Sequence, residues 1–286
     1  MKLSVTSYSY AALVGAGQVK EIDLIALAKR QGFAGIEFAE IHPDPGEDKR
    51  AYANRLRQEA ERVGMKIVAY AIGADLLSDT DREIGRLKAE AEVAAALGAD
   101  LMRHDASGGY RADVRRNRGF NEALPTLIEG YNAVTDHARR LGVRTCIENH
   151  GFFAQDASRV LSVIGGVADE NFGALVDVGN FLCADEDPGV SVGLLAPYAM
   201  HVHVKDFLFK SGSDFIPDGG FFMTRGGNFL RGTIVGHGVV PVQRCLRILK
   251  NAGYDGWYTV EFEGMEPCLD AVRLGKENLE KMLETL

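Results

Sequence analysis

The chain has 286 residues, 46% of them hydrophobic, with a net charge of -8 and a pI near 5.4. That length fits one α/β barrel or two smaller domains, and no Pro- or Ser-rich linker divides it, so a single domain over 1–286 is expected. The acidic balance disfavours a nucleic-acid backbone as ligand, since phosphate binding draws on clustered Lys and Arg; no apolar run reaches membrane-spanning length, so a cytoplasmic protein acting on a small molecule is expected.

Along the chain, residues 3–8 alternate apolar side chains with Ser4 and Ser7, unlike the continuous core of a signal peptide, and read as a first strand. Five segments then share one grammar: Gly32, Gly64, Gly98, Gly142 and Gly253 each follow a helical pattern and precede a short apolar run. Glycine just past the last helical turn supplies a left-handed cap, and the run after it is short enough for a buried strand. Upstream of these glycines the apolar residues recur at helical spacing, as in Ile84, Leu87, Ala91, Ala94 and Ala95, with charge on the other face. Strands are predicted near 3–8, 34–38, 66–71, 100–104, 143–148, 173–178, 200–205 and 257–262. Eight strands alternating with helices predict a (β/α)8 TIM barrel. A glycine-rich stretch after the seventh strand, 207–238, reads as a long loop and a lid, with Phe221, Phe222, Arg225 and Arg231 able to close over a ligand. Cys146, Cys183, Cys245 and Cys268 are widely spaced and read as reduced packing residues.

The run His201-Val202-His203-Val204-Lys205-Asp206 has period two, placing both imidazoles and Lys205 on one face of a buried strand, where unpaired polar groups are costly. Polar groups at the C-terminal strand ends are the ones to question in a barrel. Glu148, Asp177, His203 and Glu261 each follow an apolar stretch, and four neighbouring strands would gather them at the barrel mouth. Three carboxylates cannot share a dry site unpaired, so either a divalent cation joins them or each acid is separately salt-bridged or capping a helix. Oxygen-rich ligation with one imidazole suits Mn2+, Mg2+ or Co2+ better than structural zinc.

The segments Ile147-Glu148-Asn149-His150-Gly151, Val176-Asp177-Val178-Gly179-Asn180, His201 to Asp206 and Val260-Glu261-Phe262-Glu263-Gly264 together resemble the sugar phosphate isomerase/epimerase family, the xylose isomerase-like barrels. The resemblance spans essentially the whole chain and implies one divalent metal, most often Mn2+ with Mg2+, Co2+ or Zn2+ as alternatives, held by Glu148, Asp177, His203 and Glu261. Two departures stand out: Asn180 where many relatives carry His, and Gly236-His237-Gly238 where many read Gly-Glu-Gly. Glu263, two residues beyond Glu261 on the same face, is an alternative ligand.

Around that centre, His104, His150, Asn180, Lys205, Glu37 and Arg231 are the expected substrate contacts. Lys205 could also neutralise Asp206, His201 could be a core histidine, and Arg103 is expected to point away from the site toward a helix acid. The chemistry expected is proton abstraction beside the carbonyl of a keto-sugar, with a metal-stabilised enediolate and Glu148 and Glu261 as bases on opposite faces, an isomerase or epimerase. A lyase or dehydratase of keto-polyols or keto-glycosides would use the same first step, with His150, His104 or His237 protonating a leaving oxygen. A zinc-dependent DNA-repair endonuclease on this barrel is less expected, since Tyr70 and Asn180 stand where further imidazoles would be needed. A sugar or polyol substrate, neither nucleic acid nor membrane, and possible self-association complete the expectation.

Overall fold

The computed structural model describes residues 2–111, 113–114 and 118–286. Eight parallel strands close a barrel: β1 Leu3–Thr6, β2 Gly35–Ala39, β3 Lys66–Ile72, β4 Leu101–His104, β5 Arg144–Glu148, β6 Phe172–Asp177, β7 Ala199–Val204 and β11 Tyr258–Val260, with β11 paired to both β7 and β1. Around it run α2 Asp23–Arg30, α3 Lys49–Val63, α4 Thr80–Leu97, α5 Phe120–Arg140, α6 Ala157–Val167, α7 Pro188–Leu195, α8 Val242–Asn251 and α9 Cys268–Glu284, preceded by the single-turn α1 Ala11–Gly15.

Local chemistry accounts for these boundaries. Asp48 accepts from the Arg50 and Ala51 amides at the start of α3, satisfying donors that a helix leaves unpaired, and Gly64 ends the helix at φ +67. Asp79 and Gly98 do the same for α4. All five glycines of the repeated grammar take positive φ, as their predicted role requires. The helices bury their apolar stripes against the outer strand faces: Leu87, Ala91 and Ala94 of α4 and Leu127, Tyr131 and Val134 of α5 are all buried. The four cysteines are buried and unbridged. No helix of the described residues is long and apolar enough to cross a membrane.

The stretch after the seventh strand departs from expectation. Residues 207–238 are not one loop, because β8 Asp206–Lys210, β9 Phe222–Met223 and β10 Phe229–Thr233 form an antiparallel sheet in the order β8-β10-β9. Gly226-Gly227, within the stretch expected to be a loop, forms the turn joining β9 to β10. The Thr224 amide donates to the Asn228 carbonyl at 2.8 Å, with Gly227 at φ +89. The excursion is latched at its base by Asp206, whose carboxylate accepts from the amides of Phe207, Gly236, Gly238 and Val240 at 2.9 to 3.0 Å. A Cβ on Gly238 would lie 2.2 Å from that carboxylate, which is why the turn needs glycine there.

Candidate functional site

The barrel interior is filled in layers. Val68, Ala69, Leu101, Cys146 and Leu175, with Met200 and Trp257, make a lower apolar plug. Above it a polar ladder climbs toward the C-terminal strand ends. Ser4 Oγ meets Thr259 Oγ1 at 2.6 Å, Thr259 meets His201 Nε2 at 2.7 Å, and the same nitrogen lies 3.2 Å from Glu37. His201 is thus hydrogen-bonded core. Glu37 enters this layer where the β2–β3 register shifts at Ile36/Glu37, a bulge that re-aims one side chain.

His203 Nε2 lies 3.0 Å from both Glu37 oxygens, so this nitrogen donates and the ring turns Nδ1 upward. Nδ1 is 3.2 Å from Glu261 Oε2, 3.6 Å from Glu148 Oε1 and 3.9 Å from Asp177 Oδ2. One ligand atom from each of Glu148, Asp177, His203 and Glu261 lies within 4.8 Å of all the others. Three of them, His203 Nδ1, Asp177 Oδ2 and Glu261 Oε2, are buried without a hydrogen-bond partner. Asp177 Oδ1 is occupied by the Gly179 and Asn180 amides at 2.7 and 2.9 Å, which aims its other oxygen at the cluster. Asn149 ties the β5 and β6 ends together by bonding the Asp177 carbonyl and amide, both at 2.9 Å.

The electrostatics point the same way. Burial, reinforced by Glu261 and Glu148, pushes the Asp177 carboxyl up to about 7 against the pull of Lys205. Burial opposes charge on His203, yet Glu37 and Glu261 outweigh it and hold the ring's pKa well above its ordinary value. A cluster that retains protons to relieve its own repulsion is one in which a divalent cation can replace them. Three carboxylates and one imidazole are the donor set of an oxygen-rich Mn2+ or Mg2+ site, and the unpartnered atoms fit such an ion. The second acid–imidazole group, Glu37 with His201 and His203, is already hydrogen-bonded within itself and supports the first.

Two cations brace the acids. Arg103, expected to face a helix, instead enters the cleft, where Nη2 lies 2.5 Å from Glu148 Oε2 and 2.8 Å from Asp105 Oδ1, and Nη1 donates to the Ile72 carbonyl at 3.2 Å. The inward position of Arg103 sends His104 outward, so His104 is not at the mouth. It is fully buried, stacked 4.4 Å from Tyr131 of α5, with Nδ1 2.8 Å from the Asp105 carbonyl. Lys205 does not pair with Asp206, which is consumed by the latch. Its Nζ sits 2.9 Å from Glu261, 3.2 Å from Glu263, 3.6 Å from Asp177 and 3.3 Å from Asn180 Oδ1.

The cluster opens into a cavity of about 440 Å³ lined by Tyr8, Asp105, His150 and Glu263 as well as the braced acids. A second cavity of about 340 Å³ extends it toward the antiparallel sheet, past Gln155, Asn180 and Phe222, and the two share Tyr8, His150, Lys205 and Glu263. His150 Nδ1 meets Asp105 Oδ1 at 2.9 Å. Asn180 donates to Glu148 Oε1 at 3.2 Å. Glu37 reaches the cavity floor but is committed to the two histidines. Arg231 and Arg225 line neither cavity: Arg231 stacks over Phe221 at 5.5 Å and meets Met265 Sδ, while Arg225 is paired with Asp156. Glu261, rather than Glu263, joins the imidazole. Sequence reasoning missed Asp105, Tyr8 and the inward turn of Arg103; the alternation in β4 is compatible with either facing, and the packing of Leu101 in the apolar plug fixes the phase.

Among curated proteins, the chain is 26% identical over 154 residues to an inosose dehydratase of Klebsiella pneumoniae subsp. pneumoniae, covering 52% of this chain and 50% of that one. The chain thus spans about half the length of these first relatives. It is 23% identical over 253 residues to L-ribulose-5-phosphate 3-epimerase UlaE of Escherichia coli, covering 84% and 81%. The probable 3-DHS dehydratase AsbF of Bacillus anthracis superimposes with TM-score 0.75 at 17% identity over 98% of this chain and 99% of that one, which shows a shared fold. A family model described as xylose isomerase-like TIM barrel matches residues 25–285, nearly the whole chain, and the protein belongs to that family.

Proposed function

We propose that the protein is a divalent-metal-dependent enzyme, with Mn2+ the first candidate, that abstracts a proton beside the carbonyl of a keto-sugar or related polyol and returns it as an isomerase or epimerase. The observation that carries this reading is the convergence of three unpartnered buried atoms, His203 Nδ1, Asp177 Oδ2 and Glu261 Oε2, on one side of Glu148. When bound there, a divalent cation would supply Lewis-acid polarisation of the substrate carbonyl.

The chain's own residues supply the rest. Burial works against charge on Glu148 and Glu261, but Arg103 and Lys205 respectively, each helped by His203, hold both below the ordinary carboxylate range, so both are ionised and able to accept a proton. They stand on β5 and just beyond β11, separated in the wall by β6 and β7, so one can take a proton and the other return one. Lys205 Nζ, at the junction of the two cavities, is placed to donate to oxygen as negative charge develops. Tyr8 and Glu263 offer hydroxyl partners at the mouth, and the antiparallel sheet walls one side against water through Phe222.

Elimination is a second reading with its own support. Of the three histidines considered as a general acid, His104 is buried in the outer layer and His237 lines neither cavity, whereas His150 lines both and is oriented by Asp105. The inosose dehydratase and 3-epimerase relatives are compatible with either branch.

The test is deuterium incorporation by metal-loaded protein from a panel of ketoses and cyclic ketones in heavy water, followed by NMR. Exchange next to the carbonyl is expected, abolished by chelation and reduced about a thousandfold in Glu148→Gln and Glu261→Gln. Exchange that survives both substitutions would overturn the assignment, and exchange accompanied by loss of water would select elimination.

A further inference from the structure

We propose that the site selects an uncharged polyhydroxy ketone and rejects phosphorylated or carboxylated forms of the same skeleton; this rests on the functional reading above and narrows its substrate class. The cleft is walled by Glu37, Asp105, Glu148, Asp177, Glu261 and Glu263. Among the described residues lining the two cavities, the only Lys and Arg are Arg103 and Lys205. Neither is free. Arg103 spends its guanidinium on Asp105, Glu148 and the Ile72 carbonyl, and Lys205 is surrounded by Glu261, Glu263, Asp177 and Asn180 within 3.6 Å. Even with a divalent cation in place, these walls carry more negative charge than positive.

Barrels that hold a phosphate commonly do so in the loops after the last two strands, using backbone amides at a helix start. Here that position is acidic and closed. The segment after β11 carries Glu261, Glu263 and Glu266, and the helix that follows, α9, has Pro267 at its cap. Strand β10 packs Gly232 against one of these acids, since a Cβ there would lie 2.7 Å from the Glu263 side chain. Arg225 and Arg231, the cations expected to close over a ligand, are turned to Asp156 and to Phe221 with Met265. Other polar groups facing the space, among them Thr6, Tyr8, His42, His150, Gln155 and Asn180, include donors and acceptors suited to hydroxyls. Bringing a phosphate dianion beside Glu263 would set like charges together, whereas a hydroxyl would meet an acceptor.

The experiment compares binding of non-reacting ligands to the metal-loaded protein by calorimetry: linear and cyclic polyols against the phosphate monoester and the carboxylic acid of each skeleton, with inorganic phosphate alone as a further probe. Because polyols have no carbonyl, the ranking does not depend on which reaction the site performs, and absent deuterium exchange with every ketose would sink the reaction while leaving the ranking to be judged by itself. At least about tenfold weaker binding of the charged member of each pair is expected, together with a narrowing of that gap in Glu263→Gln. Tighter binding of any ester or acid than of its parent polyol, or binding of no neutral polyol at all, would overturn the proposal.

Discussion

Glu148 and Glu261 sit on either side of His203, yet the walls around them are built on different plans. Glu148 is held by Arg103, a buried guanidinium that also pairs with Asp105 and donates to the Ile72 carbonyl, and it accepts a hydrogen bond from Asn180, so this wall is fixed from β4 and from the β6 end. Glu261 faces Lys205, whose ammonium lies 2.9 Å from Oε2 and shares its charge with Glu263 and Asp177. One wall uses a planar guanidinium anchored to the main chain, the other a compact ammonium shared among three carboxylates. Glu148 is therefore oriented before any ion or substrate arrives, whereas the Glu261 side is left to be organised by what binds.

Removing the two cations separately is the strongest way to break that contrast. Arg103→Met should cost about 3–5 kcal/mol of unfolding free energy, measured in urea, because it strands the buried Glu148 carboxylate and unpairs the partly buried Asp105. Lys205→Met should cost under about 2 kcal/mol in metal-loaded protein, since the cation neutralises Glu261 and Asp177, and markedly more after chelation. Equal costs that do not respond to metal would remove the distinction.

A smaller effect is expected beneath both walls. Glu37→Gln leaves a side chain of the same shape but removes the carboxylate that holds His203 Nε2–H, so metal affinity should fall about 10- to 100-fold. Calorimetric titration with Mn2+ reads this directly, and unchanged affinity would show that the ring is held by packing alone.

Acid should loosen the Arg103 wall first, through the neighbour it displaced outward. Burial lowers His104 from its ordinary 6.5 to about 4, with the Asp105 carbonyl and charge only partly offsetting it. The unfolded chain then binds a proton that the folded one refuses, so stability is intact above about pH 6.5 and declines as pH falls toward 4, by at most about 3 kcal/mol. Hydrogen exchange of β4 and α5 amides should accelerate across that window, and the loss should vanish in His104→Gln. Exchange that rises first in β7 would contradict the assignment.

How much of this could be read from the chain depended on whether one residue type settled the matter. Gly32, Gly64, Gly98, Gly142 and Gly253 mark helix ends by a backbone conformation other residues resist, so the barrel was legible. His201, His203 and Lys205 were correctly placed facing inward because three polar side chains at period two admit one facing. β4 offered no such redundancy: in Met102-Arg103-His104-Asp105 both phases place a polar group inside, and only the packing of Leu101 decides. Glu37 was visible as a strand-end acid, but its commitment to two histidines arises from a bulge between β2 and β3 that periodicity does not encode. The sheet beyond β7 was hidden because its turn, Gly226-Gly227, is written in residues that serve flexible loops equally well.

The Asp206 latch gives that sheet an independence its size would not suggest. The chain leaves the barrel at Phe207 and returns at Val239, whose amide bonds the Phe207 carbonyl at 2.8 Å, so an excursion of some thirty residues starts and stops at one place. The entropic penalty of closing such an excursion grows only with the logarithm of its length, about 0.6 kcal/mol per doubling. Its outer tip, where Phe215 and Ile216 are more than two-thirds exposed, can therefore be lengthened, trimmed or exchanged while the acids of the barrel keep their positions. The latch separates a part of the protein free to vary from a part that is not, and makes the tip the natural point for grafting a new wall onto an unchanged centre.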